Sequence, residues 1–349
     1  MTSLAAPAAI LAESVRGGAF PAAVVEVGSS TATLWRQAFG SLSLAPDAPP
    51  ATIDTVFDLA SLTKVIATTT LAMQAVDRRQ LDLDAPLTRW LADWRGADRA
   101  AVSVTDLLEH ASGLTAHLPF FRDCRGRAEF ERAISTLPLE YTPRSASVYS
   151  DLGFILLGFI LEQVYGVTLE AAFRAVAEQH DWGELRYQPP AAWRGRTAPT
   201  EVDAWRGRLL VGEVHDENAW ALGGVAGHAG LFGTAAAVGR FARAIAAGFR
   251  DRPSIVRAAS FRRFMTRTDV PGSSRALGWD TMLPTSSCGT RMSQAAVGHT
   301  GFTGTSLWID PQADVYVVLL TNRVHPTRAN EAILRVRPAL HDAVLRALT

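Results

Sequence analysis

The sequence predicts an α/β (α+β) fold: an antiparallel sheet assembled from both chain ends and flanked by helices, with a mainly helical region inserted between them. Three observations lead there. Two β-rich runs surround a Gly28-Ser29-Ser30 turn within residues 22–43, which is a hairpin signal. Three more occupy 295–320, separated by glycines and by Asp310-Pro311, as in an antiparallel meander. Between these ends the apolar pattern is predominantly helical. The expected division is a sheet domain from 1–60 and 235–349 and a helical domain from 61–234, with a cleft between them.

In chain order, the first 20 residues read as a short amphipathic helix leading into a strand, and 55–60 as a short extended segment. From Ser61 to about Arg79 the pattern turns helical, with no Gly or Pro inside. Thr105 is the expected cap of a helix in "VSVTDLLEHASGL". A long apolar helix opens on Asp151 and closes at Gly166, and "TLEAAFRAVAEQH" follows as another. Residues 184–212, rich in Pro, Trp and Arg, read as long loops of the kind that frame sites. The glycine-rich stretch 221–233 leads into a helix over about 235–249. A last helix, containing Pro338 and expected to kink there, closes the chain.

Composition excludes several function classes. The 349 residues carry zero formal net charge, with no basic stripe to neutralise phosphates, so nucleic acid is not an expected partner. No stretch reaches the roughly 18 apolar residues that span a bilayer. The N-terminus lacks a basic cluster, and Pro7, Glu13 and Arg16 interrupt its apolar run, unlike a signal peptide. Cys124 and Cys288 match no metal or redox spacing and are expected as buried free thiols, which suits a reducing, cytoplasmic location.

Of the 34 Lys and Arg residues only one is lysine, Lys64, three residues after Ser61 at the start of a helix. That spacing puts the two side chains on one face, one turn apart. A serine hydroxyl is a poor nucleophile until a base removes its proton. A buried lysine can lose its charge and act as that base, whereas arginine stays protonated. The helix N-terminus also favours negative charge developing at Ser61 and offers backbone N–H groups to an oxyanion. Ser-x-x-Lys alone also arises by chance, but two more segments join it. Tyr149-Ser150-Asp151 precedes a helix, and His299-Thr300-Gly301 ends a strand. Taken singly, these read equally well as a core tyrosine and a strand-edge turn.

Together and in order, the three segments resemble the signature elements of the serine β-lactamase and penicillin-binding-protein superfamily, in particular class C β-lactamases and related esterases. "TVFDLASLTKV", "VTDLLEHASGL" and "AGLFGTAAAVGRFA" are similar to further family segments, so the likeness runs from about residue 20 to about 325. The resemblance implies a β-lactamase/transpeptidase-like fold in which Ser61 attacks a carbonyl and becomes acylated. Lys64 and Tyr149 would share the proton work, and which of them is the base stays open. The backbone N–H groups of Ser61 and Phe302 would form the oxyanion hole. Asp151, His299, Thr300 and Gly301 would contact substrate. No metal or organic cofactor is called for.

Two departures bear on the substrate. Penicillin-recognising members usually carry lysine where this chain has His299, and the more usual asparagine is replaced by Asp151. Asp151 could pair with Lys64, which would raise that lysine's pKa and work against a neutral base. The expectation is an ester- or amide-hydrolysing enzyme. The segment "GEVHDENAWALGGVAGHAGLFG" resembles one found in muropeptide amidases, which adds a cell-wall muropeptide to the small esters and amides expected as substrates. Its His215, Asp216, Glu217 and His228 have no metal-ligand spacing and are expected to cap loops and hydrogen-bond the cleft floor. The alternatives are a β-lactamase or D-Ala-D-Ala carboxypeptidase and, from another class, a non-catalytic ligand-binding or assembly module.

Overall fold

The computed structural model of the protein describes residues 4–252 and 254–348. Its strands are β1 (Ala22–Gly28), β2 (Thr33–Gly40), β3 (Phe57–Asp58), β4 (Leu185–Tyr187), β5 (Val202–Asp203), β6 (Arg208–Leu209), β7 (Leu231–Gly233), β8 (Asp280–Thr281), β9 (Val297–Thr300), β10 (Ser306–Asp310) and β11 (Val315–Thr321). The α-helices are α1 (Ala5–Arg16), α2 (Thr70–Asp77), α3 (Val104–Leu108), α4 (Gly126–Ser135), α5 (Asp151–Tyr165), α6 (Leu169–Gln179), α7 (Glu217–Ala221), α8 (Ala235–Gly248), α9 (Ala258–Met265) and α10 (Ile333–Leu348).

The main sheet has six strands in the order β2-β1-β11-β10-β9-β8, with antiparallel neighbours throughout. β1 and β11 are adjacent inner strands, pairing Val25 with Leu319, so the two chain ends meet as the sequence implies. Both strands are buried along their whole length, and alternate residues serve opposite faces. Val25, Val317 and Leu319 pack with Leu11 of α1 and with Leu340 and Val344 of α10. Val24, Val318 and Leu320 join Phe241 and Ile245 of α8 in a larger core that continues into the central helices. A sheet covered on both faces explains why these strands read as unbroken apolar runs.

α5 forms the axis of the helical region. Residues Leu152 to Leu161 are all buried, Ser150 caps its start, and Gly166 ends it in the left-handed conformation at φ 68°. Among the described residues no single helix is long and apolar enough to cross a membrane.

Several local expectations change. The cap of α3 is Ser103, not Thr105. Ser103 and Asp106 form a reciprocal capping box, while the Thr105 hydroxyl donates to Leu83 O. Between Lys64 and Thr69 the helix is a π-helix, and α-geometry resumes only at Thr70. The 184–212 segment is not all loop, since β4 pairs with β7 and β5 with β6. Cys288 is buried, but Cys124 is only partly so, and both are free. α10 begins at Ile333 and runs through Pro338.

The buried Glu26 on β1 is an exception within an apolar strand. It accepts hydrogen bonds from Arg36 Nε (2.5 Å) and from the Tyr316 hydroxyl (2.7 Å). Gly239 of α8 makes room for it, because a Cβ there would sit 2.5 Å from Glu26 Cδ. Gly-to-Ala substitution in an exposed helix typically gains up to about 1 kcal/mol. Gly239→Ala is predicted to destabilise instead, by about 1–3 kcal/mol through overpacking. A lowered urea midpoint is the expected readout, and an unchanged or raised midpoint contradicts the packing argument.

Candidate active site

Ser61 sits at a sharp strand-to-helix transition. β3 ends at Asp58, whose buried carboxylate accepts from Ala60 N–H (2.8 Å) and His215 N–H (2.7 Å). Ala60 turns the chain with φ 47°, a left-handed conformation that a residue bearing a Cβ adopts only when its surroundings impose it. Lys64 then points back at Ser61 from the first turn of the π-helix.

The Lys64 ammonium is wholly buried and held on three sides. Nζ donates to Ser61 Oγ (3.0 Å), to Asp151 Oδ1 (2.7 Å) and to the His228 carbonyl (3.2 Å). It also lies 4.8 Å from the Tyr149 ring centroid. Burial works against its charge, but Asp151 and Tyr149 outweigh burial and raise its pKa. Burial likewise opposes charge on Asp151, yet Lys64 and a contact from His117 Nδ1 (3.6 Å) hold the carboxyl far below the usual range. In the resting site Lys64 is therefore an ammonium, and the pairing with Asp151 anticipated from the sequence is present.

Tyr149 and Asp151 reach this point because Ser150 is pinned between them. The Ser150 side chain accepts from Gly153 N–H and donates to Thr115 O at 2.6 Å. Its own N–H donates to His110 Nδ1 at 3.0 Å. His110 is buried and stacks near Tyr149, with ring centroids 4.7 Å apart. Burial, reinforced by Arg275 and Lys64, pushes its pKa well down, so the imidazole is neutral. The sequence pattern around "LLEHASGL" contained His110, but nothing in it assigned His110 to the setting of Tyr149.

The third segment completes one wall. His299 lies in β9 with its ring 5.8 Å from that of Tyr149, and its Nδ1 is 2.8 Å from Thr300 O. Burial, then Arg275 and Lys64, lowers its pKa well below 6.5 and leaves it uncharged. A cation does stand nearby. The Arg275 guanidinium is 5.1 Å from the Tyr149 ring centroid and lines the same cleft. Sequence reading missed Arg275 because it lies 24 positions before His299 in a segment without a recognisable motif.

The turn after β9 docks on the residues that precede Ser61. Thr303 and Thr305 hydroxyls donate to Asp58 O (2.8 Å) and Leu59 O (2.9 Å). Gly301 permits the approach, since a Cβ there would lie 2.6 Å from Leu59 O. Among the described residues neither Ser61 N–H nor Phe302 N–H donates a hydrogen bond within the protein. Both residues border a cleft of about 640 Å³ that also receives Tyr149, Asp151, His299 and Thr300.

The polar loop residues are engaged by the protein itself. His215 meets Glu201 at 2.9 Å, and His228 meets Asp216 at 2.8 Å. Asp216 also caps α7, and its pKa is lowered to about 2, where the His228 contact outweighs burial. Glu217 pairs with Arg328 at 2.7 Å. His117, beside Asp151, was not singled out from the sequence.

Comparisons with known proteins agree with this architecture. A relative from Escherichia coli K12 named "Putative D-alanyl-D-alanine carboxypeptidase" is 30% identical over 314 residues, covering 79% of this chain and 70% of its own. A protein of the same name from Salmonella agona is 29% identical over 331 residues, covering 81% and 73%. Among solved structures, the class C β-lactamase of Rhodobacter sphaeroides superposes with a TM-score of 0.77 at 20% identity, covering 99% of each chain. EstCE1, described as a hydrolase with promiscuous acyltransferase activity, gives 0.76 at 22% identity, covering 97% and 98%. The beta-lactamase family profile matches residues 8–341, and this chain belongs to that family.

Proposed function

We propose that this protein is a serine hydrolase that forms an acyl-enzyme at Ser61 and hydrolyses a small ester or amide. The observation that carries this reading is the Lys64 ammonium, 3.0 Å from Ser61 Oγ and held there by Asp151 at 2.7 Å. A hydroxyl beside a fixed cation, with two unengaged N–H groups bordering the same cleft, suits acyl transfer.

The charge on Lys64 bears on the roles. Because Asp151 keeps the amine protonated at rest, Tyr149 is the better candidate to take the Ser61 proton, reacting as the phenolate once its own proton has gone to solvent. Lys64 then stays charged and stabilises the developing alkoxide. Ser61 Oγ bonds to the substrate carbonyl carbon, and the carbonyl oxygen turns toward the N–H groups of Ser61 and Phe302. The proton on Tyr149 passes to the leaving oxygen or nitrogen as its bond to the acyl carbon breaks. Water, deprotonated by the Tyr149 phenolate, then attacks the acyl carbon, and Tyr149 returns that proton to Ser61 Oγ as the acyl bond breaks. Asp151 fixes the charge and position of Lys64. The cleft draws Ser61, Tyr149 and Asp151 from the proposed helical domain and His299 to Phe302 from the proposed sheet domain.

Relatives named "Putative D-alanyl-D-alanine carboxypeptidase" and a structural neighbour described as a hydrolase with promiscuous acyltransferase activity support an ester or amide as the substrate class. The resemblance of residues 212–233 to muropeptide amidases supports a cell-wall muropeptide within that class. Arg275 favours a second reading within it, a substrate carrying a carboxylate. Its guanidinium supplies beside Tyr149 the cation that neutral His299 does not.

Intact mass after exposure to a fluorophosphonate should show one adduct on the wild type and none on Ser61→Ala; equal labelling of both removes the nucleophile assignment. Asp151→Asn should lower the Lys64 pKa. In the wild type, activity that depends on the ammonium is kept until pH rises through a value above the free-lysine pKa of about 10.4. The alkaline limb of kcat/KM in Asp151→Asn should move at least about one unit toward neutral, and an unmoved limb rules out a catalytic ammonium. Arg275→Gln should raise KM about 10-fold for carboxylate-bearing esters, the scale of one charge-assisted contact, while a neutral ester is little changed. Equal effects on both substrates exclude the anionic-substrate reading.

A further inference from the structure

Arg337, on α10, is buried with its side chain turned to the turn after β9. One terminal nitrogen, Nη2, donates to Gly301 O and to Thr305 O, each at 2.8 Å. Its Nε has no partner, and among the described residues no carboxylate pairs with the guanidinium. A buried charge without a counter-ion is costly unless dipoles meet it, and two backbone carbonyls do so here. The guanidinium thus meets two peptide units, of which Gly301–Phe302 borders the cleft. Gly301 C=O and Phe302 N–H belong to the same amide, so a cation bound at the oxygen draws electron density from the nitrogen and strengthens the N–H as a donor. The following carbonyl is held as well, since Arg323 Nε donates to Phe302 O at 2.8 Å. Arg323 in turn is tied to Arg328 O (2.9 Å) and Asn330 O (2.7 Å). The Phe302 N–H between these two clamped carbonyls donates to no group among the described residues.

We propose that Arg337 is a positioning residue for acyl transfer: its guanidinium, bound to the Gly301 carbonyl, polarises and orients the Gly301–Phe302 peptide so that Phe302 N–H serves as an oxyanion donor. This rests on the assignment of Ser61 as nucleophile. The device places an uncompensated charge one peptide away from the developing oxyanion and in low dielectric, where it is poorly screened. It also gives α10 a part in the chemistry, although no motif marks that helix.

The test compares wild type, Arg337→Lys and Arg337→Met on a p-nitrophenyl ester, with melting temperature recorded for each. Labelling of wild-type Ser61 by a fluorophosphonate is established first, which separates failure of the nucleophile assignment from failure of this inference. Deleting a whole oxyanion donor costs about 10²–10³ in kcat. Weakening one should cost roughly 10- to 100-fold in Arg337→Met with KM changed by less than about threefold, and Arg337→Lys should recover part of the loss. A boronic acid, whose tetrahedral adduct places an oxygen in the hole, should lose affinity for Arg337→Met in proportion to kcat. If Arg337→Met does not fold, Arg337→Lys carries the test. A lysine amine reaching only one carbonyl should raise the acyl-enzyme ester carbonyl stretch in the infrared. Unchanged kcat and carbonyl stretch in Arg337→Lys, or a fall in melting temperature with boronate affinity intact, overturns the proposal.

Discussion

The candidate site depends on how a buried ammonium is kept charged. Lys64 has no access to water, and its charge survives because Asp151, the His228 carbonyl and the face of Tyr149 surround Nζ. Breaking a buried pair by removing one partner is far more costly than the net worth of the pair itself. Each of these neighbours is therefore tied to the rest of the fold. Asp151 is delivered by the capped start of α5, and the His228 carbonyl by a glycine-rich segment. That segment can lie against α5 only because both contact positions lack a Cβ. A Cβ at Gly158 would meet Gly227 N at 3.0 Å. Gly158 and Gly227 are thus part of how the ammonium is solvated by protein rather than by water.

The same logic extends to the opposite wall. The turn from Gly301 to Thr305 is fastened from the front by two threonine hydroxyls and from behind by two arginines. Chain segments 245 and 246 residues apart, Thr303 from Asp58 and Thr305 from Leu59, are locked at hydrogen-bond distance. Such fastening suits a site in which hydrogen-bond donors are preorganised and do not rearrange during reaction. Two imidazoles beside it are uncharged: burial first, then the nearby Arg275 and Lys64 cations, lowers the pKa of His110 and of His299. The charges at the cleft are then the carboxylates, among them Asp151, Asp216 and Glu217, the arginines, and the buried Lys64 ammonium behind Ser61.

Much of the scaffold was legible in the chain. The meeting of the two ends in one sheet followed from turn signals and apolar runs, and α5 from its apolar length and its Gly166 terminator. Three motifs converge where their order suggested, and the pairing of Asp151 with Lys64 was foreseeable from residue type alone. Legibility failed where tertiary contact overrides local pattern. Ser103 displaced Thr105 as a cap because its box with Asp106 satisfies two N–H groups at once. The π-helix at Lys64–Thr69 has no signature in composition. Short strands such as β4 exist only because β7 lies alongside to pair with them.

What the sequence determined by itself is the chemical inventory: one titratable amine, one hydroxyl a turn before it, a phenol and a carboxylate two positions apart, and a glycine where a strand must approach closely. These follow from covalent identity and local spacing. Only the tertiary structure decided the charge state of Lys64, the neutrality of His299, and the presence of Arg275 and Arg337 at the cleft. Each of these depends on burial and on distances between segments remote in the chain, and electrostatic energy in a low-dielectric interior is set by those distances, not by sequence order.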